Sequence, residues 1–153
     1  MKIAGQEVSA PNEDILVIPR GTGADIVFTG RAIKSFDTFN ALCKQPEPPS
    51  LLTRSGKEKD IKDTGYLQQV DQFATRKLAW MLIETLKPTD IEWDTVEEEN
   101  PNTWENWVTD FQESGLTAVE QQKIMNFVME VNSLNQAKLD KARADFLRGR
   151  ETA

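Results

Sequence analysis

Histidine, the side chain most often used for proton transfer near neutral pH and the commonest zinc ligand, is missing from this chain. One cysteine, Cys43, is present. Alone it can form no disulfide within the chain and no thiolate-rich metal site, and as a nucleophile it has no histidine base to activate it. It reads as a half-buried structural thiol. Gly21-Thr22-Gly23 could open a phosphate cradle, but the third glycine of a dinucleotide fingerprint would fall at Ile26, and no Gly-Lys-Ser/Thr follows. The tripeptide is better read as a hairpin turn. Asp90, Glu92 and Asp94 alternate like the first ligands of a calcium loop. Thr95 stands where that loop needs glycine, however, and Pro101 where it needs glutamate. No catalytic, cofactor-binding or metal-binding residue is assigned, and neither an enzyme nor a cofactor is expected.

Charge is patterned more tellingly. Between Lys87 and Lys123 the chain carries acids only, among them Asp90, Glu92, Asp94, Glu97, Glu98, Glu99, Glu105, Asp110, Glu113 and Glu120. After Lys123 the balance reverses, with Lys138, Lys141, Arg143, Arg148 and Arg150 against Asp140, Asp145 and Glu151. Two solvated helix faces would produce this pattern. So would a dipolar molecule whose acidic middle meets a basic tail, in a neighbouring copy or in a partner. Trp80, Trp104 and Trp107 fall at helical spacing and read as core. Trp93, in the irregular acidic stretch, either anchors a partner or pins its loop to the helices. The residues nominated for partner binding are Trp93, Leu139, Phe146, Lys138 and Arg143.

These residues need a scaffold, and the chain supplies two kinds. Ile15 to Ile18 and Asp25 to Thr29 are short β-branched runs around a Pro-Gly-rich turn, so strand, turn, strand is expected, with Lys2 to Val8 as a third, weaker strand. Phe36, Phe39 and Leu42 mark a short helix that Pro46 ends. Residues 44–63 read as a charged, proline-containing linker with an expectation of mobility. Four helices should follow. The first spans Thr64 to Leu86, with Leu67, Val70, Ala74, Leu78 and Met81 in one stripe and a second half apolar nearly all round. The second carries Trp104, Trp107, Val108 and Phe111 and stops at Gly115. The third opens on a Thr117–Glu120 capping box and turns Ile124, Phe127, Val128 and Val131 inward. The fourth opens at Ser133 and Gln136, continues through Leu139, Ala142 and Phe146, and closes at Gly149. The expected fold is α+β: a small N-terminal antiparallel sheet (1–43), a linker (44–63), then a C-terminal bundle of about four helices (64–153).

Composition narrows the setting. A net charge of −7 repels phosphate, so nucleic acid is not an expected partner unless the protein mimics it. The longest dense apolar run, Leu78 to Ile83, is too short to cross a bilayer. Nothing after Met1 marks a secretory signal, and a lone cysteine fits a reducing cytosol, so an intracellular location is expected.

One order of motifs is family-like. Lys77 to Leu86 leads into Ile91-Glu92-Trp93-Asp94-Thr95-Val96, then Asn100-Pro101-Asn102-Thr103-Trp104. Gly115 to Glu120 follows, then Val128 to Leu134, and finally a helix ending Phe146-Leu147-Arg148-Gly149. With the Ile15–Arg20 strand and the Ile26–Phe39 stretch, this order resembles the tail assembly chaperones of long-tailed bacteriophages over nearly the whole chain. The resemblance implies a non-catalytic factor of the host bacterial cytoplasm, absent from the mature virion. It would coat the long helical tape measure protein, recruit tail tube protein and self-associate. The alternatives are a structural subunit of the virion, such as a tail or neck component, and an acidic DNA-mimic inhibitor.

Overall fold

The computed structural model describes residues 1–133 and 135–151; Leu134, which closes one quoted motif, and the last two residues lie outside the described residues. The architecture is α+β, with small antiparallel sheets toward the N-terminus and helices after them. The strands form three separate two-stranded hairpins rather than one sheet. β1 (Lys2–Ile3) and β2 (Gln6–Glu7) pair only with each other across a turn in which Ala4 and Gly5 both have positive φ. The single third strand expected over Lys2 to Val8 is therefore replaced by this small hairpin, which joins nothing else, because its residues are exposed and give a larger sheet no apolar face to bury.

β3 (Glu13–Ile18) and β4 (Ile26–Arg31) form the structural hairpin, in the register Ile18↔Ile26 to Glu13↔Arg31. Period-2 alternation divides its side chains. Leu16, Ile18, Ile26 and Phe28 face the helices, while Ile15, Val17 and Val27 face outward. Gly30 sits so close to Phe127, far along the chain, that a Cβ there would meet its ring at 2.9 Å. The outer edge of β4 is closed by Thr89, whose Oγ1 accepts the Thr29 amide and donates to the Thr29 carbonyl, both at 2.8 Å.

α1 (Asp37–Leu42) follows, with Phe39 wholly buried against Trp80 and Phe73. Residues 44–63, read as an open linker, hold a third hairpin, β5 (Ser50–Thr53) with β6 (Gly56–Lys59). The two residues between them, with Gly56 at φ 112°, give a tight turn at Arg54-Ser55, where the charged run itself reads as a turn; the strands on either side of it were not legible.

α2 (Thr64–Thr85) is started by Asp63, whose Oδ2 accepts the Tyr66 amide at 2.9 Å. Its second half is the centre of the molecule, with Ala79, Trp80, Met81, Leu82 and Ile83 all buried. Before Ala79 the helix departs from the expected stripe, since Leu67, Ala74 and Leu78 are exposed. Val70, the one stripe residue there to keep its place, Phe73 and Arg76 take the inward side and are half-buried. Residues 87–89 and 101–106 form 3-10 turns around an irregular acidic stretch.

The tryptophan helix is divided. Trp104 lies in the second 3-10 turn and is fully buried, and α3 (Trp107–Glu113) begins only afterwards. Val108 is exposed rather than inward, and Trp107 is half-buried. The inward side carries Phe111, as expected, and with it Asp110, because the change from 3-10 to α geometry rotates the face. Gly115, at φ 101°, ends α3; the Leu116 amide returns to the Phe111 carbonyl at 3.0 Å. α4 (Ala118–Val131) opens on the expected capping box: Thr117 Oγ1 accepts the Glu120 amide at 3.2 Å, and Glu120 Oε1 accepts the Thr117 amide at 3.0 Å. Ile124, Phe127, Val128 and Val131 are all buried.

Asn132 ties the ends of this body together. Its Oδ1 accepts the Ile33 amide at 2.8 Å, and its Nδ2 donates to Thr85 Oγ1 at 2.9 Å. α5 (Gln136–Glu151) starts from Asn135, whose Oδ1 accepts the Lys138 amide at 3.3 Å, and not from Ser133, which has a φ of 60°. It also runs past Gly149, whose small propensity penalty in an exposed helix does not end it.

Candidate interaction surfaces

Two surfaces stand out, an acid-rimmed apolar groove and a bare helix, and both are built from the segments with the sharpest charge patterning. The groove lies where the acidic stretch crosses the β3–β4 hairpin and α3. Ile26, Phe28, Ile91, Trp93, Phe111 and Leu116 line a depression of about 270 Å³, and Asp90, Glu92 and Asp94 stand on its rim. Trp93 is half-buried, with its ring 5.2 Å from that of Phe111. Of its two sequence readings the ring contact matches the second: it pins the acidic loop to α3, and it also lines the groove. Asp90, Glu92 and Asp94 are exposed and form no ion pair among the described residues.

Asp110, which the sequence shows only as one more acid, is what holds this wall in shape. It is 5% exposed. Its carboxylate accepts the amides of Asp94 at 3.1 Å, Thr95 at 2.9 Å and Val96 at 3.3 Å, and the Thr95 hydroxyl at 2.6 Å. Burial pushes its pKa upward, but the four hydrogen bonds together outweigh that and hold it below the ordinary carboxylate value. No local signal marks it, since the helical spacing of Trp104, Trp107, Val108 and Phe111 points to another face of α3. The calcium-like alternation of Asp90, Glu92 and Asp94 is thus a loop whose amides converge on Asp110. Among the described residues no three of Cys, Asp or Glu gather as metal ligands.

The helix is α5. Every side chain from Gln136 to Arg150 is exposed, with Leu139 at 46% and Phe146 at 66%. Leu139, Arg143, Phe146 and Arg150 recur at i, i+4, i+7 and i+11 and share one face. Lys141, Asp145 and Arg148 lie on the opposite face and are linked there, Lys141 to Asp145 at 2.9 Å and Arg148 to Asp145 at 3.4 Å. Of the nominated residues, Lys138 is committed to its own chain, 3.2 Å from Glu130. Arg143 makes no ion pair among the described residues. Trp93 lies in the body and Leu139, Phe146 and Arg143 on α5, so the nominated set divides between two surfaces. Arg150 and the apolar lining at Ile26, Phe28 and Leu116 went unnominated, although the spacing from Leu139 to Arg150 was legible.

A third apolar surface is the outer face of the β3–β4 hairpin. Ile15 (61% exposed), Val17 and Val27 line up there beside the Arg31–Glu13 ion pair at 2.7 Å.

The chemically suspect groups elsewhere take structural places. Cys43 is buried in the core, and burial raises its thiol pKa against the weaker opposing pull of Arg76, so it stays protonated at neutral pH. Gly21 to Gly23 form the β3–β4 turn, with Gly23 at φ 95° and the Arg20 amide bonded to Asp25 at 3.1 Å. Among the described residues no helix is long and apolar enough to cross a membrane. Searches of protein families, of curated proteins and of solved structures find no significant match for this chain.

Proposed function

We propose that this protein is a non-catalytic assembly chaperone of long-tailed bacteriophages that binds the tape measure protein and recruits tail tube subunits. The observation that supports this best is the display of two separate apolar surfaces, the Ile15–Val17–Val27 face and the Leu139–Phe146 stripe, on a body with its own complete core. A long helical client repeats apolar stripes along its length, and a factor that covers it in many copies needs one surface for the client and another for its neighbour. The motif order from Lys77 to Gly149 and the strand and helix runs before it supply the second support. In this reading the protein acts in the host bacterial cytoplasm and leaves before the virion matures.

Coexpression with the long helical protein encoded in the same gene neighbourhood tests the proposal. The chaperone should shift that client from the pellet to the soluble fraction and copurify with it, and should be absent from purified particles. A client equally insoluble with and without it sinks the reading. Retention of the protein in finished particles would assign it instead to the virion structure.

A further inference from the structure

We infer that the pocket between the end of α1 and α2 holds a carboxylate of an acidic peptide, with Arg76 as its anchor and the β5–β6 hairpin as a basic arm beside it. The pocket has a volume of about 520 Å³. Leu42, Phe73 and Pro101 give it apolar walls, and the carboxamides of Gln45, Gln69 and Gln72 stand among them. Its charges are Lys44 and Arg76, and no acidic side chain lines it among the described residues, in a chain with 25 acids against 18 bases. Asp71 and Glu105 lie around a neighbouring depression that shares Gln69 and Gln72, so a bound carboxylate is directed to the Arg76 end. Arg76 is half-buried, and its Nη2 donates to Asn102 Oδ1 at 2.8 Å. That bond orients the guanidinium. Arg76 forms no ion pair among the described residues, so its remaining N–H donors are available to an anion. Carboxylate and phosphate both match the guanidinium fork. The carboxamides decide between them: each donates and accepts, which suits the N–H and C=O of a peptide, whereas a phosphodiester backbone only accepts.

The arm supplies the second observation. It leaves the chain between Pro46 and Gln69, both of which line the pocket, and its first residue, Ser50, is at most about 14 Å of extended chain from Pro46. The Asp60 amide donates to the Pro49 carbonyl at 2.7 Å and closes its root. β5 and β6 pair only with each other, and an isolated two-stranded hairpin is marginal in water. Strand alternation puts Leu52 and its cross-strand partner Lys57 on one face with Lys59. Leu52 is 80% exposed, and neither lysine forms an ion pair among the described residues. A peptide seated on Arg76 thus meets further cations around an apolar contact, in which the charges set orientation and the leucine adds affinity.

The inference names a ligand chemistry and rests on neither the client nor its gene, so it can fail while the chaperone reading stands. Full-length protein labelled with nitrogen-15 is titrated with the blocked peptide acetyl-Glu-Leu-Glu-Leu-Glu-amide. The Arg76 Nε–H and the side-chain amides of Gln69, Gln72 and Asn102 should shift and saturate, with Kd at about 1 mM or tighter. The same peptide with Gln for Glu should bind at least about tenfold more weakly, as expected when a charged hydrogen-bond partner is lost. Arg76→Gln should weaken the acidic peptide by a similar factor. Lys57→Glu with Lys59→Glu, on the exposed arm, should weaken it about threefold and leave the melting temperature in place. No saturable shift at Arg76 up to about 5 mM peptide overturns the inference. So does equal binding of the Gln peptide, or unchanged affinity in Arg76→Gln. A short oligothymidylate that shifts the same resonances as strongly would make this a phosphate site and overturn the peptide. Should Arg76→Gln fail to fold, the Glu and Gln peptides on the parent protein still decide.

Discussion

α4 and α5 follow one another along the chain, with 14 and 16 residues and apolar side chains at helical spacing in both. α4 lays Ile124, Phe127, Val128 and Val131 against α2 and the β3–β4 hairpin and buries all four. α5 buries none of its apolar side chains within the chain. The difference is not one of hydrophobic period. α4 has its surroundings fixed by polar ties at each end, with Arg20 3.6 Å from Glu120 at the first turn and Asn132 bonded to both Ile33 and Thr85 after the last. α5 is tied at its first turn by Lys138 to Glu130, and its apolar face carries two arginines that a core could not desolvate cheaply. A helix is held in the body when its stripe is free of charge and its ends are anchored. A stripe that mixes Phe146 with Arg143 is suited to an interface.

The largest effect on this contrast is expected in the body. Trp104 is fully buried, its ring 6.0 Å from Phe39 and its Nε1 donating to the Glu98 carbonyl at 3.0 Å. Trp104→Ala should cost about 3–5 kcal/mol in chemical denaturation. The half-buried Trp107 should cost clearly less, and equal losses would mean that the two rings were assigned the wrong burial.

Asp110 comes next. Replacing it with Asn turns an acceptor of four hydrogen bonds toward amides it can no longer satisfy, at about 1.5–3 kcal/mol near neutral pH. Its pH dependence has a definite sign. The folded pKa lies below the ordinary 3.8, so the contribution is full above that value and is lost as pH falls through the lowered one. Urea midpoints measured downward from pH 5 should therefore fall more steeply for the parent than for Asp110→Asn. Parallel curves would show that the carboxylate does not hold the acidic loop.

Gly30→Ala should cost about 1–3 kcal/mol, since its Cβ would press on a Phe127 ring already enclosed by the core. A neutral result would mean that the hairpin rides on α4 more loosely than its spacing implies. At the small end, removing residues 135–153 should change the stability of the body by no more than about 0.5 kcal/mol, as expected where no core contact is lost. Unfolding of that truncated chain, read by circular dichroism, would erase the distinction between the two helices.

Much of this molecule was legible in local signals. The capping box at Thr117 and Glu120, the glycine stop at Gly115 and the dense run from Ala79 to Ile83 each act within a few residues, so their physics is complete in the sequence. The β3–β4 hairpin was equally plain. The hairpin at residues 50–59 was not, because prolines and charges there mask the strands that flank its turn. On the candidate surfaces, Leu139, Phe146 and Arg143 could be nominated from spacing, and Trp93 from its setting among acids. Asp110 and the groove floor could not, since carboxylates look alike in a list and Phe28 meets Phe111 only across the fold.

The sequence by itself determined the β3–β4 hairpin, most of the helical segments, the cap at Thr117 and the stop at Gly115, and that acids and bases are segregated along the chain. Those properties follow from neighbours within a turn or two. Tertiary structure decided the rest. It turned Val108 outward and Asp110 inward, and it left α5 bare while α4 is enclosed. It also brought Ile26, Trp93 and Leu116 to one groove. Burial and the satisfaction of buried polar groups depend on which distant residues arrive beside a side chain, and periodicity specifies a face without specifying its neighbour.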